Sequence, residues 1–103
     1  MIVTKPGGFT TSECLALGKP LVFYEAVPGQ ESANARYVCD RGAGLDGGSP
    51  AGAAEAAGRL VREPWLRAQL ARRARRISRP DAARAIVERV LQKTRAVELA
   101  LAA

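Results

Sequence analysis

The chain has 103 residues, a formal net charge of +6, and 48% hydrophobic but only 5% aromatic residues. A chain of this length forms one domain, and because much of its apolar content is alanine, we expect marginal stability or dependence on a partner. The sequence contains no histidine, so the commonest general base and the commonest metal ligand are both missing from it.

The cysteines and the hydropathy pattern narrow the class of protein further. Cys14 and Cys39 stand far apart and outside any C-x-x-C pattern, so we expect two buried thiols and neither a disulfide nor a metal site. No apolar run approaches the ~20 residues that span a membrane, and no signal-peptide pattern follows Met1. We therefore predict a cytoplasmic protein, bound at most peripherally to a membrane, with no cofactor.

Alternating strand and helix signals fill the first half. In chain order they predict a buried strand over 1–4, a helix over 10–17, a strand over 21–24, a helix over about 30–41, and a short strand over 43–45. Gly18 and Gly42 are expected to end the two helices. Ala33, Tyr37 and Val38 are spaced for one buried face of the second helix. Strands separated by helices pair in parallel through right-handed crossovers, so this half is α/β.

The second half is predicted to be helical. Alanine, arginine and leucine at helical spacing predict helices over about 51–62, 64–77 and 80–101, with Pro64 and Pro80 each at the first turn of a helix. The last helix carries one apolar stripe, made of Ala83, Ile86, Val87, Val90 and Leu91. We expect a single partial domain over 1–103, with an α/β half at 1–49 and a helical segment at 50–103.

Two predicted helix starts follow the carboxyl ends of neighbouring strands. They are Gly8-Phe9-Thr10 and Pro28-Gly29-Gln30, and in an open parallel sheet they should lie side by side, where ligands bind. Unpaired amides in the first turn and the helix dipole attract anions. Gly7 and Gly8 would let backbone approach a phosphate, and Thr10 or Thr11 could add a hydroxyl. No G-K-[ST] follows, so this is not a Walker loop.

A simpler explanation exists for the first helix start. Thr10-x-x-Glu13 is also the pattern of a capping box, in which the two side chains cap the helix and bind nothing else. The second helix start favours a ligand, because Gln30 and Asn34 are one turn apart and project from the same face. Their amide groups both donate and accept hydrogen bonds, which suits a hydroxyl-rich ligand. A solvated polar helix face remains the alternative.

These segments carry a family resemblance. Residues 4–22 read T-K-P-G-G-F-T-T-S-E-C-L-A-L-G-K-P-L-V, and residues 28–35 read P-G-Q-E-S-A-N-A. Together they resemble the carboxyl-terminal domain of GT-B glycosyltransferases, in the family of monogalactosyldiacylglycerol synthases and processive diacylglycerol glucosyltransferases. The lipid II N-acetylglucosaminyltransferase is a more distant relative. The resemblance covers residues 2–45 and continues weakly at 79–83. It implies a truncated Rossmann-like domain.

The resemblance also implies a UDP-sugar site. Gly7 belongs to the loop, and Gly8, Phe9 and Thr10 stand where the family's loop and helix start meet the diphosphate. Glu13 stands where a glutamate binds the two ribose hydroxyls. Gln30 and Asn34 stand where the family's glutamine and asparagine meet the sugar. Glu31 also matches, and we assign it first to the dipole of its helix.

The sequence departs from the resembled family in what it lacks. Such enzymes have an amino-terminal acceptor domain that supplies the general base, and strands that hold the uracil, and this chain contains neither. We therefore expect no catalytic residue in the chain, inactivity of the chain alone, and a missing amino-terminal domain or partner subunit. Inverting transfer to a lipid-linked or other hydroxyl acceptor is the implied reaction, at the inner face of the membrane.

Three alternatives stay open. A nucleotide-sugar 2-epimerase shares the fold and a similar glycine-hydroxyl-glutamate start, although P-G-Q-x-x-x-N argues against it. Eight arginines between Arg59 and Arg79, against the single acid Glu63, could bind an anionic membrane as a non-catalytic basic domain. Nucleic acid is disfavoured because only Trp65 could stack on a base, and we expect Trp65 to pack on its own helix. An inactive remnant would expose an unpaired sheet edge and self-associate as a homo-oligomer.

Overall fold

The computed structural model describes residues 1–102 as three strands and five helices. The strands are β1 (Ile2–Thr4), β2 (Leu21–Phe23) and β3 (Gly44–Asp46). The helices are α1 (Gly8–Ala16), α2 (Gln30–Asp40), α3 (Pro50–Arg62), α4 (Pro64–Ile77) and α5 (Ala82–Ala102). Ala103, the last residue of the predicted helical segment 50–103, lies outside the described residues.

The strands form one parallel sheet in the order β1-β2-β3. Val22 of β2 is in register with Val3 on one side and Leu45 on the other. With α1 and α2 as the crossovers, this is the predicted α/β class, a short open sheet consistent with a truncated Rossmann-like domain. The carboxyl ends of β1 and β2 therefore lie next to each other and lead into the two helix starts.

Helices cover the central strand on both faces. Leu21 and Phe23 point to one face, where they pack with Leu15 of α1, Val38 of α2 and Ala74 of α4. Val22 points to the other face, into a cluster with Ala53 and Leu60 of α3 and Leu66 and Leu70 of α4. The alternation of one strand thus divides the core into two clusters, and α4 contributes to both.

The prediction that the first strand is buried is wrong. Ile2 and Val3 are exposed, and Val3 keeps 46% of its surface accessible. The reason is the strand order, because β1 is an edge strand that pairs with β2 alone. β1 therefore forms one edge of the three-stranded sheet within residues 1–102.

The first two helices also differ from prediction at particular residues. α1 begins at Gly8, two residues earlier than predicted. In α2, Val38 is buried as predicted, but Ala33 is exposed and Ala35 is buried in its place. Tyr37 is also exposed, and the guanidinium of Arg41 lies 3.7 Å from its ring centroid. Tyr37 thus lies on the solvent side of α2 and does not pack on the sheet.

The helical half matches the prediction closely except at its last helix. α3 and α4 end at the predicted residues, and Pro64 opens α4. Pro80 does not open a helix, because the chain makes a turn there and α5 begins at Ala82. None of the described residues of α5 is buried, so its apolar stripe lies in solvent.

Two arginines of α4 cover the carboxyl ends of α1 and α2. Gly18 and Gly42 end these helices with positive φ angles of 63° and 70°, as predicted. A Cβ on Gly18 would collide with the side chain of Arg75, and one on Gly42 with that of Arg73. Because cations stabilise helix carboxyl ends, part of the arginine-rich segment has a structural role.

Candidate functional site

A cavity of about 510 Å³ lies between the amino-terminal ends of α1 and α2. It is lined by Gly7, Gly8, Phe9, Ser12, Gln30, Glu31 and Asn34. The volume lies in the range of small-molecule sites. The predicted side-by-side placement of the two helix starts is therefore confirmed.

The start of α1 presents free backbone amides. Gly7 precedes the helix in extended conformation, and the first intrahelical hydrogen bond runs 3.0 Å from the Thr11 amide to the Gly7 carbonyl. The amides of Gly8, Phe9 and Thr10 thus have no acceptor within the helix.

The alternative explanation, a capping box at Thr10 and Glu13, is wrong. Thr10 is the third residue of α1 and not its cap, and no side chain caps the helix. Because Thr10 is already inside the first turn, Glu13 lies too far along the helix to return to a capping position. The structural explanation for this motif therefore fails, and Glu13 has no capping role.

The start of α2 faces the same cavity. Gly29 precedes it with a φ of 103°, which only glycine adopts readily. Glu31 lies in the first turn, as a dipole role requires, and its Oε1 accepts a hydrogen bond from the Val27 amide at 3.1 Å. The same oxygen lies 3.8 Å from Nζ of Lys5. The wall of the cavity thus carries one carboxylate with a lysine beside it.

The glycines at 7 and 8 are not required by the fold. Gly7 has an ordinary φ of −67° and Gly8 is helical. A Cβ on either would meet no heavy atom within 4 Å. Neither backbone conformation nor packing therefore demands glycine here, and the absence of side chains keeps the mouth of the cavity open.

The predicted site residues divide into two groups. Gly7, Gly8, Phe9, Gln30 and Asn34 line the cavity, and Phe9 is 90% exposed. Thr10 and Glu13 are exposed but do not line it. Glu13 nevertheless follows Phe9 by four residues, so it projects from the same side of α1, one turn beyond the cavity.

The hydroxyl residues are arranged differently from expectation. Thr11, considered as a phosphate contact, is buried against the core, and its Oγ1 has no hydrogen-bond partner. Ser12 lines the cavity instead and was not among the predicted site residues. Its position four residues after Gly8 was the available signal, because that spacing puts it on the face of α1 that begins at Gly8.

Asn34 connects the two halves of the cavity. Its Nδ2 donates a hydrogen bond to the Pro6 carbonyl at 3.0 Å, across 28 residues of sequence. Pro6 is buried and precedes the glycine pair. Asn34 therefore fixes the β1–α1 loop against α2, in addition to any contact with a ligand.

The two thiols lie outside this cavity. Both are free, Cys14 buried and Cys39 half-buried. Burial raises the pKa of each, that of Cys39 to about 11, with further contributions from Asp46 and Asp40. Neither thiol has the lowered pKa of a reactive cysteine.

The arginine-rich segment carries an exposed aromatic residue. Trp65 is 63% exposed, so the prediction that it packs on its own helix is wrong. Arg72 and Arg76 follow it by seven and eleven residues and are also exposed, which places all three on one face of α4. We call this surface the basic α4 face.

A second concavity lies on α5, away from the two helix starts. It is lined by Leu91, Gln92, Thr94, Arg95 and Glu98 and is formed by the side chains of a single exposed helix. Among the helices of residues 1–102, none combines the length and the apolarity needed to cross a membrane.

Comparison with known proteins relates the chain to bacterial enzymes named processive diacylglycerol beta-glucosyltransferase. It is 50% identical to that of Bacillus subtilis (strain 168) over 44 residues, which are 43% of this chain and 12% of the relative. It is 36% identical over 95 residues to those of Bacillus thuringiensis (strain Al Hakam) and Bacillus cytotoxicus. These matches cover 89% and 92% of this chain and 24% of each relative, within its carboxyl-terminal part. The chain thus spans about a quarter or less of these relatives. No family model and no solved structure matches it.

Proposed function

This chain belongs to the glycosyltransferase family of the processive diacylglycerol beta-glucosyltransferases, family 28, and corresponds to their carboxyl-terminal part, and we propose that it is the UDP-sugar-binding portion of an inverting glycosyltransferase. The observation that carries the proposal is the cavity between the starts of α1 and α2, with its free amides and its open glycine pair. Its acceptor is a lipid-linked or other hydroxyl compound, and the diacylglycerol in the relatives' name makes a lipid hydroxyl the first acceptor to test.

The proposed site divides the donor between the two helix starts. The diphosphate lies at the amides of Gly8, Phe9 and Thr10, where unpaired N–H groups and the dipole of α1 favour negative charge. Glu13 accepts hydrogen bonds from the two ribose hydroxyls. Gln30 and Asn34 contact the sugar, since each amide group both donates and accepts.

In the proposed reaction a general base from another domain or subunit removes the proton of the acceptor hydroxyl. The acceptor oxygen then bonds to the anomeric carbon on the face opposite UDP, while the bond from that carbon to the phosphate oxygen breaks. The negative charge that develops on departing UDP is stabilised by the start of α1 and the Thr10 hydroxyl. We propose that this base comes from an acceptor domain outside this sequence, as the resemblance implies.

Isothermal titration with UDP tests the proposal. Glu13→Ala should weaken UDP binding by roughly tenfold, the effect of losing hydrogen bonds to a charged group. It should leave the free energy of unfolding within about 0.5 kcal/mol, because Glu13 caps nothing. If the unaltered chain does not bind UDP, the proposed site is wrong. If the Glu13→Ala variant binds UDP as tightly as the unaltered chain, the proposed role of Glu13 is wrong.

Gly8→Ala tests whether glycine at this position serves the stability of the fold or leaves room for the ligand. The added Cβ meets nothing and the residue is helical, so stability should hold or rise by up to about 1 kcal/mol. UDP affinity should fall, because the methyl group occupies the mouth of the cavity. Gly18→Ala is the matched control, since it should lose stability through its positive φ without lying near the cavity.

The basic α4 face supports a second candidate function, attachment to an anionic membrane. An exposed tryptophan flanked by arginines is the combination that occupies the lipid headgroup region. Cosedimentation with vesicles containing anionic lipid should be stronger than with neutral vesicles and should decrease after Trp65→Ala. Equal binding to neutral and anionic vesicles would exclude this electrostatic attachment.

A further inference from the structure

Lys5 and Glu31 form an ion pair at the edge of the cavity. Lys5 directly follows β1, and Glu31 lies in the first turn of α2 and lines the cavity. Their Nζ and Oε1 atoms are 3.8 Å apart, with side chains 43% and 30% exposed. The only other ion pair among residues 1–102 joins Arg59 to Glu63 within the helical half, so this one has no counterpart at the cavity.

The pair is loose. A separation of 3.8 Å exceeds hydrogen-bonding distance, so the ammonium group is held by charge alone. Glu31 Oε1 is already bonded to the Val27 amide, which keeps the carboxylate in place when the lysine moves. Ion pairs of this exposure contribute less than about 1 kcal/mol, so the lysine can leave at low cost.

The carboxylate of Glu31 creates an electrostatic problem for the proposed ligand. A diphosphate in this cavity would stand beside a fixed negative charge in its wall. Helix amides supply partial charges only, equivalent to about half an elementary charge at each start. A full positive charge that can move toward the phosphates would offset the repulsion, and Lys5 is placed to supply it.

We propose that Lys5 is the diphosphate-binding cation of this site and that Glu31 holds it in the ligand-free protein. When a nucleoside diphosphate binds, the ammonium group moves from the Glu31 carboxylate to a phosphate oxygen, while Glu31 keeps its bond to the Val27 amide. The inference rests on the proposed function, because it names a further binding residue of the same cavity.

Titration of the full chain with UDP, uridine and inorganic pyrophosphate tests this. Lys5→Met keeps most of the aliphatic stem and removes the charge, so UDP and pyrophosphate affinity should fall roughly tenfold or more while uridine affinity stays unchanged. Lys5→Arg should restore most of the loss. Glu31→Gln should raise affinity for both phosphate ligands, because it removes the competing carboxylate and keeps an oxygen for the Val27 amide.

The outcomes separate the two proposals. If the Lys5→Met variant binds UDP as tightly as the wild type, the proposed role of Lys5 is overturned and the proposed function stays in place. An equal loss of uridine and UDP affinity assigns Lys5 a purely structural role and also overturns the inference. If the unaltered chain binds neither UDP nor pyrophosphate, both proposals fail. Circular dichroism of each variant establishes that it is folded before titration.

Discussion

Asn34 combines a structural bond with a place in the cavity wall. Its donation to the Pro6 carbonyl holds the loop that carries the glycine pair. An affinity measurement on Asn34 alone would therefore mix a lost ligand contact with a displaced loop. A stability measurement separates the two, because only the loop contact exists in the free protein.

Asn34→Ala should lower the free energy of unfolding by about 1 kcal/mol, the usual contribution of one partly buried hydrogen bond. Asn34→Asp should lower it further at neutral pH, since a carboxylate would then face the Pro6 carbonyl oxygen. Gln30→Ala is the matched control on the same helix face, and Gln30 is exposed, so no change is expected. Urea unfolding measures all three, and an Asn34→Ala variant as stable as the wild type would contradict the loop role.

Cys39 links stability to alkaline pH. Burial and two nearby aspartates raise the pKa of its thiol from 9.0 to about 11 in the folded chain. At a pH between these two pKa values, the Cys39 thiol is deprotonated in the unfolded chain but still protonated in the folded chain. The unfolded state thus binds fewer protons, and the free energy of unfolding falls as pH rises from about 9 to 11.

Cys39→Ala should remove that part of the pH dependence. The measured quantity is the difference in slope between variant and wild type in urea unfolding from pH 8 to 11, because that difference cancels the contribution of every group that the two proteins share. Below pH 8 the two proteins should differ by a constant amount only. Parallel curves across the whole range would refute the contribution of Cys39.

At the scale of elements, β3 and α3 are joined by a close backbone approach. Ser49 caps α3 by accepting the Gly52 amide at 3.0 Å, which brings the first turn of α3 against the end of β3. A Cβ on Gly52 would collide with the Gly47 carbonyl group, and one on Gly47 would collide with the Ala53 backbone. Because backbone cannot move aside as a side chain does, both glycines are required for this packing.

Gly52→Ala should therefore destabilise the chain by about 2 kcal/mol or more, as backbone displacements do. Gly58→Ala in the same helix is the matched control. Its Cβ would meet only Arg62 Nη1, at 3.1 Å, the mobile end of a side chain, so the better helix former should stabilise by up to about 1 kcal/mol. Thermal unfolding of both variants tests the pair, and the same sign of change in both would contradict the packing argument.

The elements also show which signals in the sequence are local. Pro64 fixes the start of α4 through chemistry within one turn, and that boundary was predicted correctly. Ser49 caps α3 in the same local way but was not among the predicted signals, although the helix was predicted to begin within one residue of Pro50. The start of α1 was missed because Thr10-x-x-Glu13 has the pattern of a cap, whereas extended Gly7 starts the helix without one. The cavity was predictable, because strand order alone brings two helix starts together. Ser12 was missed because the helix was predicted to begin at Thr10 and not at Gly8, and the place of Lys5 depends on side-chain geometry that spacing does not specify.

At the scale of the whole molecule, β1 and α5 are both exposed, and whether such elements are buried depends on surfaces that come from distant parts of the sequence. Among the described residues β1 pairs with β2 alone, and its apolar residues Ile2 and Val3 stay exposed. The apolar spacing of α5 predicted a helix correctly but not what would cover it. The radius of gyration is 17.8 Å, against about 13 Å for a compact chain of this length. The excess reflects an elongated molecule of 64 × 29 × 17 Å.

These two exposed surfaces support the prediction of a homo-oligomer. The stripe of α5 continues through Val87, Val90 and Val97, at spacings of three and seven residues that keep them on one side of the helix, as in helices that pair. In a parallel pair, Lys93 of one copy would face Glu98 of the other, and their opposite charges favour the contact.

Sedimentation velocity should therefore show a mass above that of the monomer, increasing with protein concentration. Val90→Glu should shift the protein toward monomer, whereas Gln92→Glu on the opposite side of the helix should not. Because none of the described residues of α5 is buried, Val90→Glu should leave the unfolding of the rest of the chain unchanged. A monomer at all concentrations, or equal effects of both substitutions, would remove α5 as the site of association.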